Sequence, residues 1–291
     1  MSIKRLFASR KRPYFKNLDR LDHLSLDLSG TRLELDLPPQ DCPFTERNDG
    51  PDINIFDNGI YDYDEKGTQG DEGQGSIGVK YVVNRSWRMY GEVWRSRPIG
   101  NLDCVVSVND TSQLKKGLNC FCNRDLERVL IYDAYFSFGP GSGTTQAKLF
   151  PVNWSVYKSE GNDWVNFEVW FDKTGDSARS NSESTFFSCF FSPIDRTKYV
   201  ALVFWAVGSA SAKESNKATR SVIKEVMASV RLNLSDASLE QREQAKKHYG
   251  PSDVFSESRS VESWVYPESK EEKNGGYPLE LAPNINPTSV S

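Results

Sequence analysis

A chain of 291 residues with 37% hydrophobic and 26% charged residues can pack a core, but it is leaner in apolar residues than an average globular domain, so part of it is expected to stay outside that core. A net charge of -4 supplies no global attraction to nucleic acid or anionic membrane, and no apolar run reaches the roughly 18 residues that cross a bilayer. The N-terminal charges are not followed by the apolar segment of a secretory leader, and Cys42, Cys104, Cys120, Cys122 and Cys189 are too irregularly spaced for a disulfide framework, so the expected compartment is cytoplasmic.

Residues 1–20 carry Lys4, Arg5, Arg10, Lys11, Arg12, Lys16 and Arg20 against Asp19 alone, and read as a basic flexible arm. Ile3, Leu6 and Phe7 fall at helical spacing within it, which suits contact with an anionic lipid surface or with the phosphates of nucleic acid. Next, Leu24, Leu26 and Leu28 alternate with polar residues, as do Leu33, Leu35 and Leu37, around Ser29-Gly30-Thr31. Period-two alternation on both sides of a Gly-containing turn predicts a hairpin with one buried face, closed by Pro38-Pro39.

From Asp49 to Gly75 the composition shifts to Asp, Glu, Gly and Asn, which reads as one short strand and a long acidic loop. Its Asp57, Asp62, Asp64, Glu65, Asp71 and Glu72 are the candidate partner-binding residues. Laid on a calcium-binding loop, Asp62 and Asp64 fall on ligand positions and Gly67 on the required glycine, but Lys66 and Gly73 replace two ligands, so no metal site is expected.

Strands are expected over 79–83, 87–94 and 102–108, and a helix over 124–135 with Asn123 as its cap. A second hairpin runs from Val152 to Phe171 with its turn at Gly161-Asn162. The apolar runs 186–191 and 199–207 read as strands buried on both faces, joined by a turn at Pro193-Ile194-Asp195-Arg196. Ser211 opens a helix whose Ala218, Val222, Val226 and Val230 form an apolar stripe. A shorter, almost wholly polar helix follows from Leu239 to His248 with Ser238 as its cap. Residues 250–291 read as a disordered tail with Trp264, Val265 and Tyr266 as a docking point.

These elements predict one α+β domain over residues 21–249, a mainly antiparallel twisted sheet carrying a C-terminal amphipathic helix. The sequence offers little chemistry. His23 and His248 have no nucleophile motif beside them, and Cys120-Phe-Cys122 lacks the second ligand pair of a zinc site. In Gly139-Pro-Gly-Ser-Gly-Thr-Thr, Thr144 stands where a phosphate-binding loop needs Lys. No catalytic residue, metal or cofactor is assigned. A carboxylate-dependent hydrolase stays open as an alternative, because only the fold sets the separation of two acids.

The succession Trp154-Ser-Val-Tyr, Trp164-Val-Asn-Phe-Glu-Val, Ser192-Pro-Ile-Asp and Tyr199-Val-Ala-Leu-Val-Phe, leading into a helix that ends Val226-Met-Ala-Ser-Val-Arg-Leu, resembles the second half of PsbP/Mog1-like sandwich proteins. That group includes small bacterial proteins found with secreted antibacterial effectors, and the resemblance covers about residues 152–234. It implies a non-enzymatic cytoplasmic protein that binds another protein, as toxin-immunity and effector-associated proteins do. The acidic loop is then the expected contact. A peripheral membrane or nucleic-acid-associated protein acting through the basic arm is the alternative.

Overall fold

The leucine alternation folds as its period requires. In a computed structural model that describes residues 3–9, 12–63, 76–94, 97–114, 118–139, 147–171, 184–208 and 212–263, β2 (Asp22–Leu28) pairs antiparallel with β3 (Thr31–Leu37). The register sets Leu24 opposite Leu35 and Leu26 opposite Leu33, so one face carries all the leucines. Ser29 and Gly30 both have positive φ, 59° and 87°, as a two-residue turn matched to the strand twist demands. With β11 (Arg231–Asn233) on the other side of β3, the hairpin forms a three-stranded sheet.

The larger sheet has nine strands. Along its path run β1 (Tyr14–Phe15), β5 (Gly78–Tyr90), β6 (Pro98–Asp110), β10 (Lys198–Gly208), β9 (Ser184–Asp195), β8 (Asn162–Trp170), β7 (Leu149–Ser159) and β12 (Glu262–Ser263), while β4 (Asp62–Tyr63) also pairs with β5. Every pairing of these strands is antiparallel, as expected for an α+β chain. Four helices accompany the sheets among the described residues: α1 (Ile3–Leu6), α2 (Asn123–Ser137), α3 (Ala212–Ser229) and α4 (Asp236–Tyr249).

Two cores explain the aromatic-rich composition. In one, the hairpin leucines and the α3 stripe of Val222, Ile223, Val226 and Met227 bury Val83, Trp87, Leu102, Val106, Leu202 and Phe204. In the other, Leu126, Val129 and Leu130 of α2 bury Val165, Phe167, Cys189, Phe191 and Tyr199. The central strands are therefore covered on both faces, which is why β9 and β10 read as near-continuous apolar runs. Arg85 fastens the small sheet to the large one. Fully buried, it donates to Asp22 (3.0 Å), to the Pro38 carbonyl (3.2 Å) and to Asp49, while the Trp87 indole donates to that same carbonyl at 2.8 Å.

Four local expectations are revised. The segments 79–83 and 87–90 belong to the single strand β5, which has a register shift between Tyr81 and Val83, and residues 91–94 lie beyond its end in a turn. Pro193 lies inside β9 opposite Tyr199, next to a register shift of the kind at which a strand tolerates proline, and the turn itself is Arg196–Thr197. The α4 cap is Ser235, whose Oγ accepts from the Ser238 backbone at 3.2 Å; Ser238 is inside the helix. At α2 the preceding residue Cys122 makes no side-chain cap, and Asn123 is the first helical residue. The carboxylate of Asp253, distant in sequence, accepts from the backbones of Asn123 (2.9 Å) and Arg124 (3.2 Å).

Described residues near both ends of the chain pack against the large sheet. In the basic arm, β1 extends the sheet beside Met89 and Tyr90, and the Arg5 guanidinium lies 4.7 Å from the Tyr90 ring centre. After α4, residues 250–263 return across α2. Phe255 enters the second core, the Trp154 indole donates to the Ser256 carbonyl at 2.7 Å, and β12 pairs with Leu149 and Phe150. Trp264, Val265 and Tyr266 lie outside the described residues.

Candidate functional site

A thirteen-residue strand such as β5 would present a long row of unpaired backbone groups if its outer edge were open. The chain covers that edge piece by piece. β4 pairs with Gly78 and Val79, Asn48 exchanges backbone hydrogen bonds with Asn84 (2.8 and 3.1 Å), and the N–H groups of Asp41 and Cys42 reach the Ser86 carbonyl at 3.3 Å. Asp41 Oδ1 accepts from the Arg88 backbone at 2.6 Å, and β1 completes the cover at Met89 and Tyr90.

The cover leaves large apolar side chains in solvent at the Tyr90 end. Phe44 is 90% exposed, Trp94 79% and Phe7 74%, and Leu6 is also exposed. Cations interleave with the rings: Arg5 stacks on Tyr90, and Arg88, next along the same side of β5, lies 5.3 Å from the centre of Phe44. Arg88 also acts on Cys42. Burial raises a thiol pKa, yet hydrogen bonds from the Phe44 backbone, Ser86, Thr45 and Arg88 hold Cys42 below its ordinary value of 9.0. Asp41 behaves oppositely: burial raises its pKa despite Arg88. The edge therefore presents exposed aromatics with guanidinium groups among them, over a buried thiol and a half-buried carboxyl.

The sequence-nominated acids lie elsewhere. Asp57 caps a 3-10 turn at Asn58–Ile60, accepting from the Gly59 backbone at 2.9 Å, and Asp62 sits in β4 opposite Val79, at the other end of β5. Asp64, Glu65, Asp71 and Glu72 are outside the described residues. Of the basic arm, Arg5 joins the aromatic edge, the Arg12 backbone donates to Ser9 Oγ at 3.1 Å, and Lys4 is placed as a residue of α1. Arg10 and Lys11 are outside the described residues.

The loop that carries Asp57 and Asp62 covers a buried ion pair instead. Lys198 Nζ is 3.0 Å from Asp110 Oδ1, while Tyr63 and Ser112 donate to Asp110 Oδ2 at 2.6 and 2.5 Å. The rings of Phe56 and Tyr61 flank the ammonium at 5.8 Å. Burial works against ionised Asp110, but the Ser112, Tyr63 and Lys198 hydrogen bonds outweigh it and its pKa lies below the usual 3.8. Asp110 and Lys198 come together only through strand pairing, and no local pattern announces them.

His23 pairs with Asp36 at 2.8 Å on the exposed side of the hairpin, and His248 lies in the last turn of α4. Among the described residues no three His, Cys, Asp or Glu side chains gather as a metal site, and no helix is long and apolar enough to cross a membrane. Comparison of the chain with protein-family models and with curated proteins finds no match.

Proposed function

We propose that this chain is a non-enzymatic protein-binding protein whose contact surface is the Tyr90 end of the β5 edge, and that its partner presents an acidic surface. The observation that carries the reading is the exposure of Phe7, Phe44 and Trp94 beside Arg5 and Arg88. Aromatics and arginine are the residue types that supply most binding energy at protein interfaces, and burying one such ring contributes about 1.5–3 kcal/mol. The guanidinium groups favour an acidic partner and speed its encounter. The resemblance of residues 152–234 to effector-associated and immunity proteins points the same way. The contact, however, moves from the acidic loop to the aromatic edge.

A second reading, an anionic membrane surface, is favoured by the exposed Leu6 and Phe7 next to Lys4 and Arg5. A carboxylate-dependent hydrolase gains no support from Asp110, Glu127 or Glu168, because each is held by a cation: Lys198, Arg259 and Arg220 respectively.

The test compares the wild-type chain with a Phe44→Ser/Trp94→Ser double variant in capture from the native host at low and high salt. Both positions are exposed, so stability should change by less than about 0.5 kcal/mol. An acidic protein retained by the wild type and lost by the double variant supports the proposal. Recovery of the same proteins by both sinks it, and saturable binding to phosphatidylserine vesicles without protein capture selects the membrane reading.

A further inference from the structure

A separate feature lies at the opposite end of the strands. The helix α4 is polar nearly all round, burying only Ser238 and Ala245, so it cannot be held by an apolar stripe. Point contacts hold it instead. The Ser235 backbone donates to Thr31 Oγ1 (3.1 Å), Arg242 donates to the Gly161 carbonyl (3.0 Å), and the Arg196 backbone donates to Gln241 Oε1 (2.8 Å). A helix standing off in this way leaves a cleft of about 680 Å³ against the β9–β10 turn, lined by Asn119, Asp195, Arg196, Gln241, His248 and Tyr249 among others. Small-molecule sites typically occupy about 300–1,000 Å³.

The hydrogen-bonding capacity of this cleft is unbalanced. Gln241 spends its carbonyl oxygen on Arg196, and its amide N–H groups make no hydrogen bond among the described residues. Arg196 uses its backbone N–H on Gln241 and its carbonyl on the Cys120 N–H (2.7 Å), while its exposed guanidinium has no hydrogen bond or ion pair among the described residues. The His248 ring meets the Tyr249 ring edge-on at 4.7 Å. The carboxylate in the lining, Asp195, is turned into the turn, where its Oδ1 accepts from the Thr197 backbone (3.0 Å) and hydroxyl (3.2 Å). Arg85, Arg220, Arg259 and Lys198 all have a carboxylate of their own; among the described residues Arg196 has none.

We infer that the cleft between α4 and the β9–β10 turn binds a small ligand bearing a carboxylate or a phosphate, taken by the Arg196 guanidinium with Gln241 and His248 as supporting donors. The planar guanidinium matches two oxygens of either group, and the ring of Tyr249 offers a flat wall for the remainder of the ligand. The carboxyl end of a helix disfavours an anion. Here the Gly250 backbone caps the Lys246 carbonyl at 3.0 Å, and Lys246, Lys247 and His248 fill the last turn, which offsets that field.

The test titrates the full chain with inorganic phosphate and, separately, with succinate, following backbone and side-chain amide resonances. One or both should give saturable shifts confined to residues around Arg196, Gln241 and His248. Those shifts should disappear in Arg196→Gln, an exposed turn substitution whose circular dichroism matches the wild type, and persist in Phe44→Ser/Trp94→Ser. Which probe saturates tells phosphate from carboxylate. Linear shifts with both anions, or saturation that survives Arg196→Gln, overturn the assignment.

Discussion

Arg259 Nη1 lies 2.8 Å from Glu127 Oε2, although the two residues are 132 positions apart in the sequence, and both side chains are shielded from solvent. Glu127, on α2, also accepts from the hydroxyl of Ser256 at 3.0 Å, so one carboxylate ties two residues of the returning segment to α2. Arg259 stacks on Trp154 as well, 5.2 Å from the ring centre. Removing one member of a buried pair strands the other charge, which costs about 3–5 kcal/mol. Arg259→Met should therefore lower stability by that order in urea unfolding near neutral pH. A loss under about 1 kcal/mol would mean that the segment does not depend on the pair.

The same carboxylate carries a pH dependence of known sign. Burial raises the Glu127 pKa above its ordinary 4.5, and the Ser256 and Arg259 contacts only partly counter it. The folded chain thus holds this proton more tightly than the unfolded chain. The contribution is greatest below about pH 4.5 and declines as pH rises through the folded pKa. Denaturant unfolding of wild type and Glu127→Gln across about pH 4 to 7 should show the wild type losing ground relative to the variant as pH rises. A difference that stays flat would show that burial does not control this group.

Asp110 works in the opposite direction. Its folded pKa is held below 3.8, so ionised Asp110 favours folding above that pH and the benefit disappears as pH falls through the folded value. Asp110→Asn should destabilise the chain near neutral pH and approach wild-type stability as the solution is acidified below about pH 4. Lys198→Met should cost about 3–5 kcal/mol near neutral pH, since it leaves a buried carboxylate without its cation. Equal pH profiles for wild type and Asp110→Asn would contradict the arrangement of Tyr63, Ser112 and Lys198 around Asp110.

What can be read from the sequence follows the range of the forces involved. The leucine hairpin and the α3 stripe are written in windows of fewer than about twenty residues, because period-two and four-residue spacings are local properties. The α2 cap is not local. Asp253 sits 130 residues beyond Asn123, so a chain-order reading assigns the cap to Asn123 and takes the Ser-rich segment around Ser256 for disorder. The candidate edge is hidden for a different reason. Phe44 and Trp94 have the composition of core residues, and only the patchwork cover of β5 shows that they stand in solvent. The acidic loop is conspicuous as a charge run, yet of its described acids Asp49 holds Arg85, Asp52 accepts from the Asp27 backbone, Asp57 caps a turn and Asp62 lies in β4.

The cover over β5 also makes glycine obligatory at one point. Gly50 has φ of 63°, and a Cβ there would run into the Val82 carbonyl oxygen, which is backbone rather than a yielding side chain. Gly161, in the β7–β8 turn, has a similar φ of 81°, but nothing lies within 4 Å of the place its Cβ would take. Both substitutions by Ala carry the left-handed backbone penalty of roughly 1–2 kcal/mol, and only Gly50→Ala adds a steric clash. Gly161→Ala should therefore lower stability by about 1 kcal/mol. Gly50→Ala should lower it distinctly more, and it should accelerate amide exchange at Asn48 and Asn84, whose paired N–H groups depend on the loop lying flat against the strand. Equal losses for the two variants would place the loop farther from Val82 than the close approach at Gly50 requires.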